Sequence, residues 1–356
     1  MSSTWGKNLK ISIFGESHGQ AIGVTIDGLQ PNFPLDMAEI AKYMAKRKPG
    51  GDLATPRKED DLPQILSGVF NGKTTGAPLC AVIYNNNTKS GDYDNVSHQA
   101  RPGHADYTAY VKYQGANDYR GGGHFSGRLT ACLVFAGAVC SQVLKSQGIE
   151  VFGHVSSIGD AIDKPFDMCV DEQTKAKLDC AFPVIDDDVC QQMKQVVANA
   201  REQGDSVGGT VECMITGLPA GVGSPMFDGV ENKIASIVFG IPAVKGIEFG
   251  LGFESAKMYC SQNNDEFFVD DDEVKTKTNN CGGILGGITN GMPVTFKVAF
   301  KPTPSIAKTQ NTIDFKTNQN TTIQVKGRHD PCIVMRATPV VTAVASIAVL
   351  DLLYEI

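Results

Sequence analysis

The sequence predicts a mixed α+β chain in which apolar helices are buried between layers of secondary structure. Two stretches, 129–146 and 338–354, are rich in small apolar residues, and the polar face of the first is so narrow that it should be buried. Several shorter segments alternate between apolar and polar residues, as strands with one buried face do. The chain has 356 residues, of which 42% are hydrophobic, and this is ample for a buried core.

The remaining elements follow from local patterns. Strands are predicted at 8–14, 21–27, 148–159, 207–219 and 292–302. Paired strands around a turn at Asn71-Gly72 are predicted for 64–70 and 77–84. Amphipathic helices are predicted at 36–48, 187–203 and 228–239.

Capping residues place two of the helix ends. Asp36 is a suitable N-cap for the helix at 36–48, and Pro49-Gly50 is a suitable stop. Gly204 ends the helix at 187–203. The acidic stretch 265–273 is predicted to be a solvated loop.

Composition argues against several classes of protein. The formal net charge of −7 gives no basic field for nucleic acid. The ten cysteines form no C-x-x-C motif, so a zinc ribbon is not expected, and reduced thiols fit a cytoplasmic location. The N-terminus has no apolar segment of a secretory signal. The C-terminal apolar run is interrupted by Arg336, Pro339 and Asp351, so we expect no membrane span and no membrane partner.

Residues Gly15–Gly19 read G-x-S-x-G, the pattern of the nucleophile elbow of serine hydrolases. A true elbow joins a strand to a helix, and its oxyanion loop comes from an earlier strand. Here the following residues, 20–29, alternate like a strand, and only fourteen residues precede the motif. The sequence therefore does not favour Ser17 as a hydrolytic nucleophile.

Histidine and arginine are concentrated in glycine-rich and proline-rich segments. Four of the six histidines lie there, at positions 18, 104, 124 and 329. Several arginines share these segments, at positions 101, 120, 128, 328 and 336. Arginine presents a planar fork of donors suited to carboxylate and phosphate. The combination indicates a small ligand with several negative charges, although part of the basic run 42–48 is explained by a solvated helix face.

Other motifs with a defined chemistry are absent from the sequence. It has no phosphate-binding P-loop, no dinucleotide-binding G-x-G-x-x-G between strand and helix, and no H-E-x-x-H zinc motif. No ligand spacing supports a metal shared by His18 and His104, so no metal is predicted.

One internal similarity concerns the two apolar helices. Arg128 and Thr130 precede the first in the pattern Arg-x-Thr, and Arg336 and Thr338 repeat that pattern at the second. If the chain consists of two related halves, each half would direct one arginine from the N-terminus of its apolar helix. Coincidence between two apolar helices explains the same pattern, and the sequence leaves both readings open.

Taken in order, the loops resemble one known family. "FGESHG", "RPGHADYTAYVKYQGANDYRGGG" and "KGRHDPCIVMRA" are similar to the three signatures of chorismate synthases. "KRKPGG", "PRKEDD", "GDSVGGTVECMITGLPAGVGSP", "AVKGIEFG" and "CGGILGGITNG" also resemble that family, and together the motifs cover essentially the whole chain, 1–356, as one domain.

The resemblance implies a fold, a reaction and a cofactor. The fold is a β-α-β sandwich with two antiparallel sheets enclosing central helices, assembled as a homotetramer. The reaction converts 5-enolpyruvylshikimate 3-phosphate to chorismate by 1,4-elimination of phosphate. It requires reduced FMN without net redox change. NADPH enters only as a source of reducing equivalents, and the simpler expectation is that reduced flavin is supplied externally.

The resemblance also assigns residues. His18 and His104 match the two acid–base histidines of the family, His18 beside the phosphate and His104 beside the reduced flavin. Asp330 matches the aspartate near the flavin. The residues expected at the substrate are Arg47, Arg101, Arg128, Arg336 and Ser17. The residues expected at the flavin are Ser126, His124, Phe125, Ala243, Gly286, Lys301, Pro302, Thr303, Pro304, Ser305 and Arg328.

The chain departs from the family pattern near the predicted flavin site. His124, Phe125 and Leu129 stand where the family often has Arg, Ser and Glu, and Pro242 stands where it often has Asn. These departures put individual flavin contacts in doubt. Two other functions stay open at this point, namely a flavin-binding or flavin-reducing protein without lyase activity and a non-catalytic anion-binding module.

Overall fold

The computed structural model describes residues 3–48, 61–86, 97–325 and 330–355. The strands there are β1 Thr4–Trp5, β2 Lys10–Gly15, β3 Ala21–Asp27, β4 Gln64–Ser67, β5 Val69–Phe70, β6 Lys73–Thr74, β7 Leu79–Tyr84, β8 Glu150–Ile158, β9 Ala161–Ile162, β10 Gly209–Thr216, β11 Val244–Phe249, β12 Phe267–Asp270, β13 Glu273–Thr276, β14 Ile284–Leu285, β15 Ile288–Thr289, β16 Val294–Phe300, β17 Gln310–Asp314 and β18 Gln319–Ile323. The α-helices are α1 Met37–Arg47, α2 Asp106–Lys112, α3 Thr130–Lys145, α4 Glu172–Leu178, α5 Asp187–Glu202, α6 Val230–Val238, α7 Cys260–Asn263 and α8 Val334–Leu353.

Two larger sheets organise these elements, and both are antiparallel. The first has the strand order β1-β2-β3-β7-β4, and the second has the order β11-β16-β10-β8-β9. In β16 the residues Val294, Phe296, Val298 and Phe300 are buried and alternate with half-buried ones. This alternation places one face of the second sheet on the core.

Helices α3 and α8 form the centre of the core. They pack against each other so closely that a Cβ atom on Gly137 would lie 2.3 Å from Cα of Ala343. Only glycine allows two helix backbones this close approach. Helix α3 contacts β2, β3 and β7 of the first sheet, and α8 contacts β8 and β10 of the second. The prediction of buried apolar helices in a mixed chain with antiparallel sheets is confirmed.

Interruption of the C-terminal apolar run by Arg336, Pro339 and Asp351 does not by itself argue against a membrane span, because length and composition allow one. Helix α8 has 20 residues, and α3 with its preceding turn has 19, and both are apolar enough to cross a membrane by length and composition. However, 89% of the apolar 18-residue stretch of α8 and 72% of that of α3 are buried inside the protein. Core helices of soluble proteins have the same properties, and the burial identifies these two as core helices.

Most other elements agree with the local patterns. Asp36 caps α1 by accepting hydrogen bonds from the backbone N–H groups of Ala38 and Glu39, as predicted. Pro49-Gly50, the predicted stop, lies outside the described residues. The segment 64–70 is divided at Gly68, which has a φ of 82°. The hairpin around Asn71-Gly72 therefore consists of the short strands β5 and β6.

Two further predictions were wrong in detail. Helix α8 begins at Val334, four residues before the predicted start, and it contains Pro339. The prediction placed Arg336 ahead of the helix, whereas the first turn of the helix contains it and buries Val334, Met335 and Ala337. The acidic stretch 265–273 is an exposed hairpin of β12 and β13 rather than a loop.

A buried charged cluster lies away from the core helices, on the second sheet. His154 on β8 is fully buried, with Nδ1 3.0 Å from Oδ2 of Asp163 and Nε2 2.8 Å from Oε2 of Glu212. Burial lowers the pKa of His154, but hydrogen bonds to the two carboxylates outweigh it and leave the pKa above its usual value. The charged imidazolium therefore joins β8 to β10 and to the segment after β9.

This cluster predicts a pH-dependent contribution to stability. Because the folded-state pKa is raised, the contribution is complete below the unfolded value of about 6.5 and is lost as the pH rises through the folded value. We expect His154→Gln to lower the free energy of unfolding by about 1.5–3 kcal/mol at pH 6 and by less at pH 9. Urea denaturation of both proteins at the two pH values measures this. An equal loss at both values would contradict a charged His154.

Candidate active site

The segment between β2 and β3 carries Ser17 and His18, and it is a turn between antiparallel strands. Gly15 has a φ of 93°, and a Cβ atom there would lie 2.3 Å from the carbonyl oxygen of Ala21. Both Ser17 and His18 are buried. Oγ of Ser17 donates to the carbonyl of Arg120 and lies 3.1 Å from Nδ1 of His18. A strand follows this motif, so the nucleophile-elbow interpretation is excluded, as the sequence predicted.

Three successive glycines bring the two predicted acid–base histidines to one segment. Gly121, Gly122 and Gly123 have φ values of 59°, 91° and 54°. A Cβ atom on Gly121 would lie 2.1 Å from Cε1 of His18, and one on Gly122 would lie 3.1 Å from Nε2 of His104. Side chains cannot occupy these positions, and L-residues rarely adopt these φ values. The glycine run therefore explains how His18 and His104 pack on the two sides of one loop.

His104 belongs to a buried network with Arg101 and Asp106. Its Nδ1 atom lies 2.6 Å from Oδ1 of Asp106. Arg101 donates to Asp106 from Nε, from Nη2 and from its backbone N–H, at 2.8, 2.8 and 3.0 Å. Burial raises the pKa of Asp106, but Arg101 and His104 outweigh it and hold the pKa well below its usual range. Asp106 is therefore ionised at neutral pH.

A second buried network joins Arg47 and Arg128 through Asp61. Nη2 of Arg47 donates to Oδ2 of Asp61 at 2.7 Å, and Nη1 of Arg128 donates to Oδ1 of the same carboxylate. The side chain of Asp61 has no exposed surface. Burial raises the pKa of Asp61, but the two guanidinium charges outweigh it, so the pKa is lowered. Arg128 also donates from Nε to Asn85 at 3.1 Å.

Arg336 lies in the first turn of α8 and connects this network to Asp330. Its Nη1 atom donates to Oδ2 of Asp330, and its Nε atom donates to the carbonyl of Arg47 at 3.0 Å. Arg128 lies in the turn just before α3. The two arginines of the repeated Arg-x-Thr pattern thus lie at the N-terminal ends of the two core helices.

These networks border one cavity of about 600 Å³. The basic residues of its described lining are Arg47, Arg101, Arg128, Arg336, Lys245 and Lys301. Asp330 is the carboxylate of that lining. The apolar part of the lining includes Phe125, Phe239, Ile241, Pro242, Ala243, Val244, Phe300, Ile333, Ala337 and Val340. A strongly basic cavity with an apolar wall thus occurs in a chain whose net charge is −7.

Backbone irregularities aim the two lysines into the cavity. Ala243 has a φ of 73°, and the register between β11 and β16 shifts between Val244 and Gly246, which leaves Lys245 at a bulge. Bulges next to active sites often redirect a side chain in this way. Burial lowers the pKa of Lys301, and the charge of Lys245 lowers it further. Among the described residues neither lysine has a carboxylate partner, so both are available to an anion.

Most of the predicted residues line the cavity. They are His104, Arg47, Arg101, Arg128, Arg336, Asp330, Ser126, His124, Phe125, Ala243, Lys301, Thr303, Pro304 and Ser305. Ser17 and His18 lie directly behind Gly121, which is itself in the lining. Pro302 and Gly286 are outside the lining, and Gly286 lies in the turn between β14 and β15. Arg328 and His329 lie outside the described residues.

His124 is engaged by the protein on both ring nitrogens. Nδ1 lies 2.8 Å from the carbonyl oxygen of Gly15, and Nε2 lies 2.8 Å from Oγ of Ser3. Because a carbonyl only accepts, Nδ1 carries a proton and donates it to Gly15, while Nε2 is hydrogen-bonded to the serine hydroxyl. His124 thus fastens the glycine loop to the N-terminal strands, which leaves the adjacent Phe125 at the cavity.

Three residues of this site were not singled out from the sequence. Asp106 lies two residues after His104, and Asp61 lies in "PRKEDD", a segment noted only for its resemblance. Lys245 lies in "AVKGIEFG", which was noted for the same reason. A carboxylate close in sequence to Arg101 was the available signal for Asp106, whereas Asp61 pairs with arginines of distant segments and had no such signal. The bulge that directs Lys245 has no comparable signal.

Comparisons with known proteins agree with this geometry. A family model described as chorismate synthase matches residues 9–354. A chorismate synthase of Dehalococcoides mccartyi is 46% identical over 353 residues, covering 99% of this chain and 96% of that protein. The chorismate synthase of Methanocaldococcus jannaschii is 42% identical over 368 residues, covering 100% of this chain and 97% of that protein.

A solved structure is also similar along nearly the whole chain. It is described as the crystal structure of chorismate synthase, and it matches with a TM-score of 0.75 and 28% identity, covering 99% of this chain and 93% of that one. The family model and the relatives agree with the sequence signatures and with the cavity. The chain therefore belongs to the chorismate synthase family.

Proposed function

We propose that the cavity beside His18 and His104 is where this chain eliminates phosphate. Membership of the family makes the chain a lyase of the shikimate pathway, which converts 5-enolpyruvylshikimate 3-phosphate to chorismate and phosphate by 1,4-elimination. We infer this location from the loop Gly121–Gly123, which lies next to a basic cavity. His18 packs against Gly121 of this loop, and His104 packs against Gly122.

The arginines bind the negative charges of the substrate. The substrate has one phosphate and two carboxylates, and the described lining has six Lys or Arg side chains against one carboxylate, Asp330. Asp61, Asp106 and Asp330 each hold one edge of a guanidinium group. Arginine has five N–H donors, so these ion pairs orient the side chains without exhausting their donors. Preorganised donors of this kind stabilise charge that develops on a leaving group.

His18 supplies a proton to the departing phosphate, and His104 holds a proton on the other side of the glycine loop. Cleavage of the C–O bond places negative charge on the leaving group, and an imidazolium beside it offsets that charge. Ser17 orients His18 through the contact between Oγ and Nδ1.

The cavity suits reduced FMN in chemistry and size. Its volume of about 600 Å³ is within the range of small-molecule sites, and it combines an apolar wall for a planar ring with lysines for a phosphate. Ser126, His124, Phe125, Ala243, Lys301, Thr303, Pro304 and Ser305 would hold the flavin from the lining. Gly286, Pro302 and Arg328 are kept as flavin residues by the family resemblance alone. When bound, the flavin supplies electron density to the elimination. Asp330, held by Arg336, accepts and passes on a proton at its carboxylate. External reduction of the flavin, rather than reduction by NADPH on this chain, is the simpler arrangement.

The proposal extends to the whole molecule. The two sheets and the helices α3 and α8 form a β-α-β sandwich and one domain, with halves related by duplication through their Arg-x-Thr patterns. The chain works as a homotetramer in the cytoplasm. Support for assembly comes from Met226, Phe227, Phe253 and Tyr259, which are about four-fifths exposed, since exposed apolar side chains of this size often mark subunit contacts.

Anaerobic phosphate release from 5-enolpyruvylshikimate 3-phosphate tests the proposal. We expect release with reduced FMN and none with oxidised FMN. No release with either form would contradict the proposal. Flavin binding without release would support a flavin-binding protein instead, and the absence of both would support an anion-binding module.

A further inference from the structure

The carboxylate of Asp106 is placed to control the imidazole of His104. Oδ1 of Asp106 lies 2.6 Å from Nδ1 of His104, and the Asp106 side chain is 4% exposed. Because the carboxylate is held ionised by Arg101, it can only accept hydrogen bonds. Nδ1 of His104 must therefore carry a proton.

The other ring nitrogen has different neighbours. Nε2 of His104 lies 3.1 Å from the position of a Cβ atom on Gly122, so a larger residue at 122 would crowd this nitrogen. Nη2 of Arg101 lies 3.1 Å from Nδ1 and 3.3 Å from Nε2. Since Nδ1 already donates to Asp106, only Nε2 can accept from Arg101. No carboxylate among the described residues is recorded at Nε2.

We propose that Asp106 is a positioning residue for the lyase reaction: it holds the proton on Nδ1 of His104, so that His104 gains and loses its other proton at Nε2. The inference rests on the proposed acid–base function of His104 and deepens it. Arg101 in turn holds Asp106 in place, because two side-chain nitrogens and the backbone N–H of Arg101 donate to that carboxylate.

The charges around the ring support this division. The charged groups facing His104 are Asp106 and Arg101, and Lys301 donates from Nζ to the carbonyl of Gly103 next to it. Asp106 contacts Nδ1, so Nδ1 is the nitrogen whose proton the protein holds, and Nε2 is the nitrogen left for the proton exchange that general acid–base catalysis requires.

Asp106→Asn is the direct test, because the amide has the same shape but no charge and offers a donor as well as an acceptor. We expect kcat to fall at least about tenfold, since the full acid–base contribution of a residue is about 10²–10⁴. KM should rise as well, because Asp106 also orients Arg101, and the pH profile of kcat should shift. Introduced into His104→Ala, the same change should have almost no further effect on kcat at saturating substrate, because the contribution of Asp106 to kcat acts through His104 and its contact with Arg101 acts on substrate binding.

Asp163→Asn is a matched control, since Asp163 also contacts Nδ1 of a buried histidine, His154, but lies outside the cavity lining. It should lower stability and leave the pH profile of kcat unchanged. An Asp106→Asn enzyme with unchanged kcat, or with an equal loss in the His104→Ala background, would overturn the inference.

A measurement on the unmodified protein is independent of how the variant folds. In ¹⁵N NMR of the holoenzyme, Nδ1 of His104 should remain protonated across the titration while Nε2 titrates. The opposite pattern would overturn the inference. If His104→Ala retained full turnover, the proposed function of His104 would fail, whereas the NMR result would still decide the role of Asp106.

Discussion

Replacing His18 or His104 with alanine is expected to lower turnover by about 10²–10⁴, the usual contribution of a positioned general acid or base. The two side chains pack against Gly121 and Gly122 of one loop, beside the cavity that holds the arginines. Loss of His18 removes the proton and the positive charge offered to the leaving phosphate. Loss of His104 removes the proton held on the other side of the loop. Anaerobic phosphate release at saturating substrate and reduced FMN measures both effects.

Substrate binding should persist in both variants, because the arginines remain. Equilibrium binding of the substrate therefore separates a loss of chemistry from a loss of the site. His98→Ala is the matched control: His98 is partly exposed, its Nε2 atom lies 3.7 Å from Asp314, and it is outside the cavity lining. Turnover close to that of the unmodified enzyme is expected for this control. The same result for His18→Ala or His104→Ala would refute the role of that histidine.

Replacing Asp61 with alanine is expected to lower the free energy of unfolding by about 3–5 kcal/mol, the cost of breaking a buried ion pair from one side. The carboxylate is fully buried and accepts from both Arg47 and Arg128. Its removal leaves two guanidinium charges beside each other without this neutralising group. Both arginines line the cavity, so KM for the substrate should rise as well.

Guanidinium chloride denaturation followed by fluorescence of Trp5, the one tryptophan of the chain, measures the change. Glu254→Ala is the matched control, because Glu254 pairs with Lys257 at 2.7 Å on the surface, where such pairs contribute about 0–1 kcal/mol. A loss for Asp61→Ala no larger than that for Glu254→Ala would contradict the buried network. Because the pKa of Asp61 is lowered, its contribution should be present at neutral pH and should disappear as the pH falls below about 4.

Local patterns predicted most of the longer elements, because each depends on neighbouring residues. The alternation of residues 21–27 and the Asp36 cap of α1 are properties of a single segment. The apolar composition of α3 and α8 predicted their burial, but it could not show which backbones touch. The start of α8 was misplaced because its first turn is stabilised by burial in the folded protein.

The candidate site was predicted as a set of residues rather than as an arrangement. The motifs pointed to His18, His104, Asp330 and the arginines, and the structure places most of them around one cavity. The pairing of Arg47 with Arg128 through Asp61 joins distant segments, so no local pattern could indicate it. The ring nitrogens of His124 form hydrogen bonds with Ser3 and with the carbonyl of Gly15. The presence of histidine where the family often has arginine did not indicate these bonds.

By itself, the sequence of this protein determined most of the longer strands and helices, the burial of the two apolar helices, the family and the types of residue at the site. Only the tertiary structure decided which charge neutralises which, and where each proton is held. Glycine at positions 121 and 122 is visible in the sequence, but its necessity appears only when His18 and His104 pack against those two Cα atoms. The reason is physical: composition and periodicity act within a segment, whereas burial and electrostatic pairing act between segments that meet only when the chain is folded.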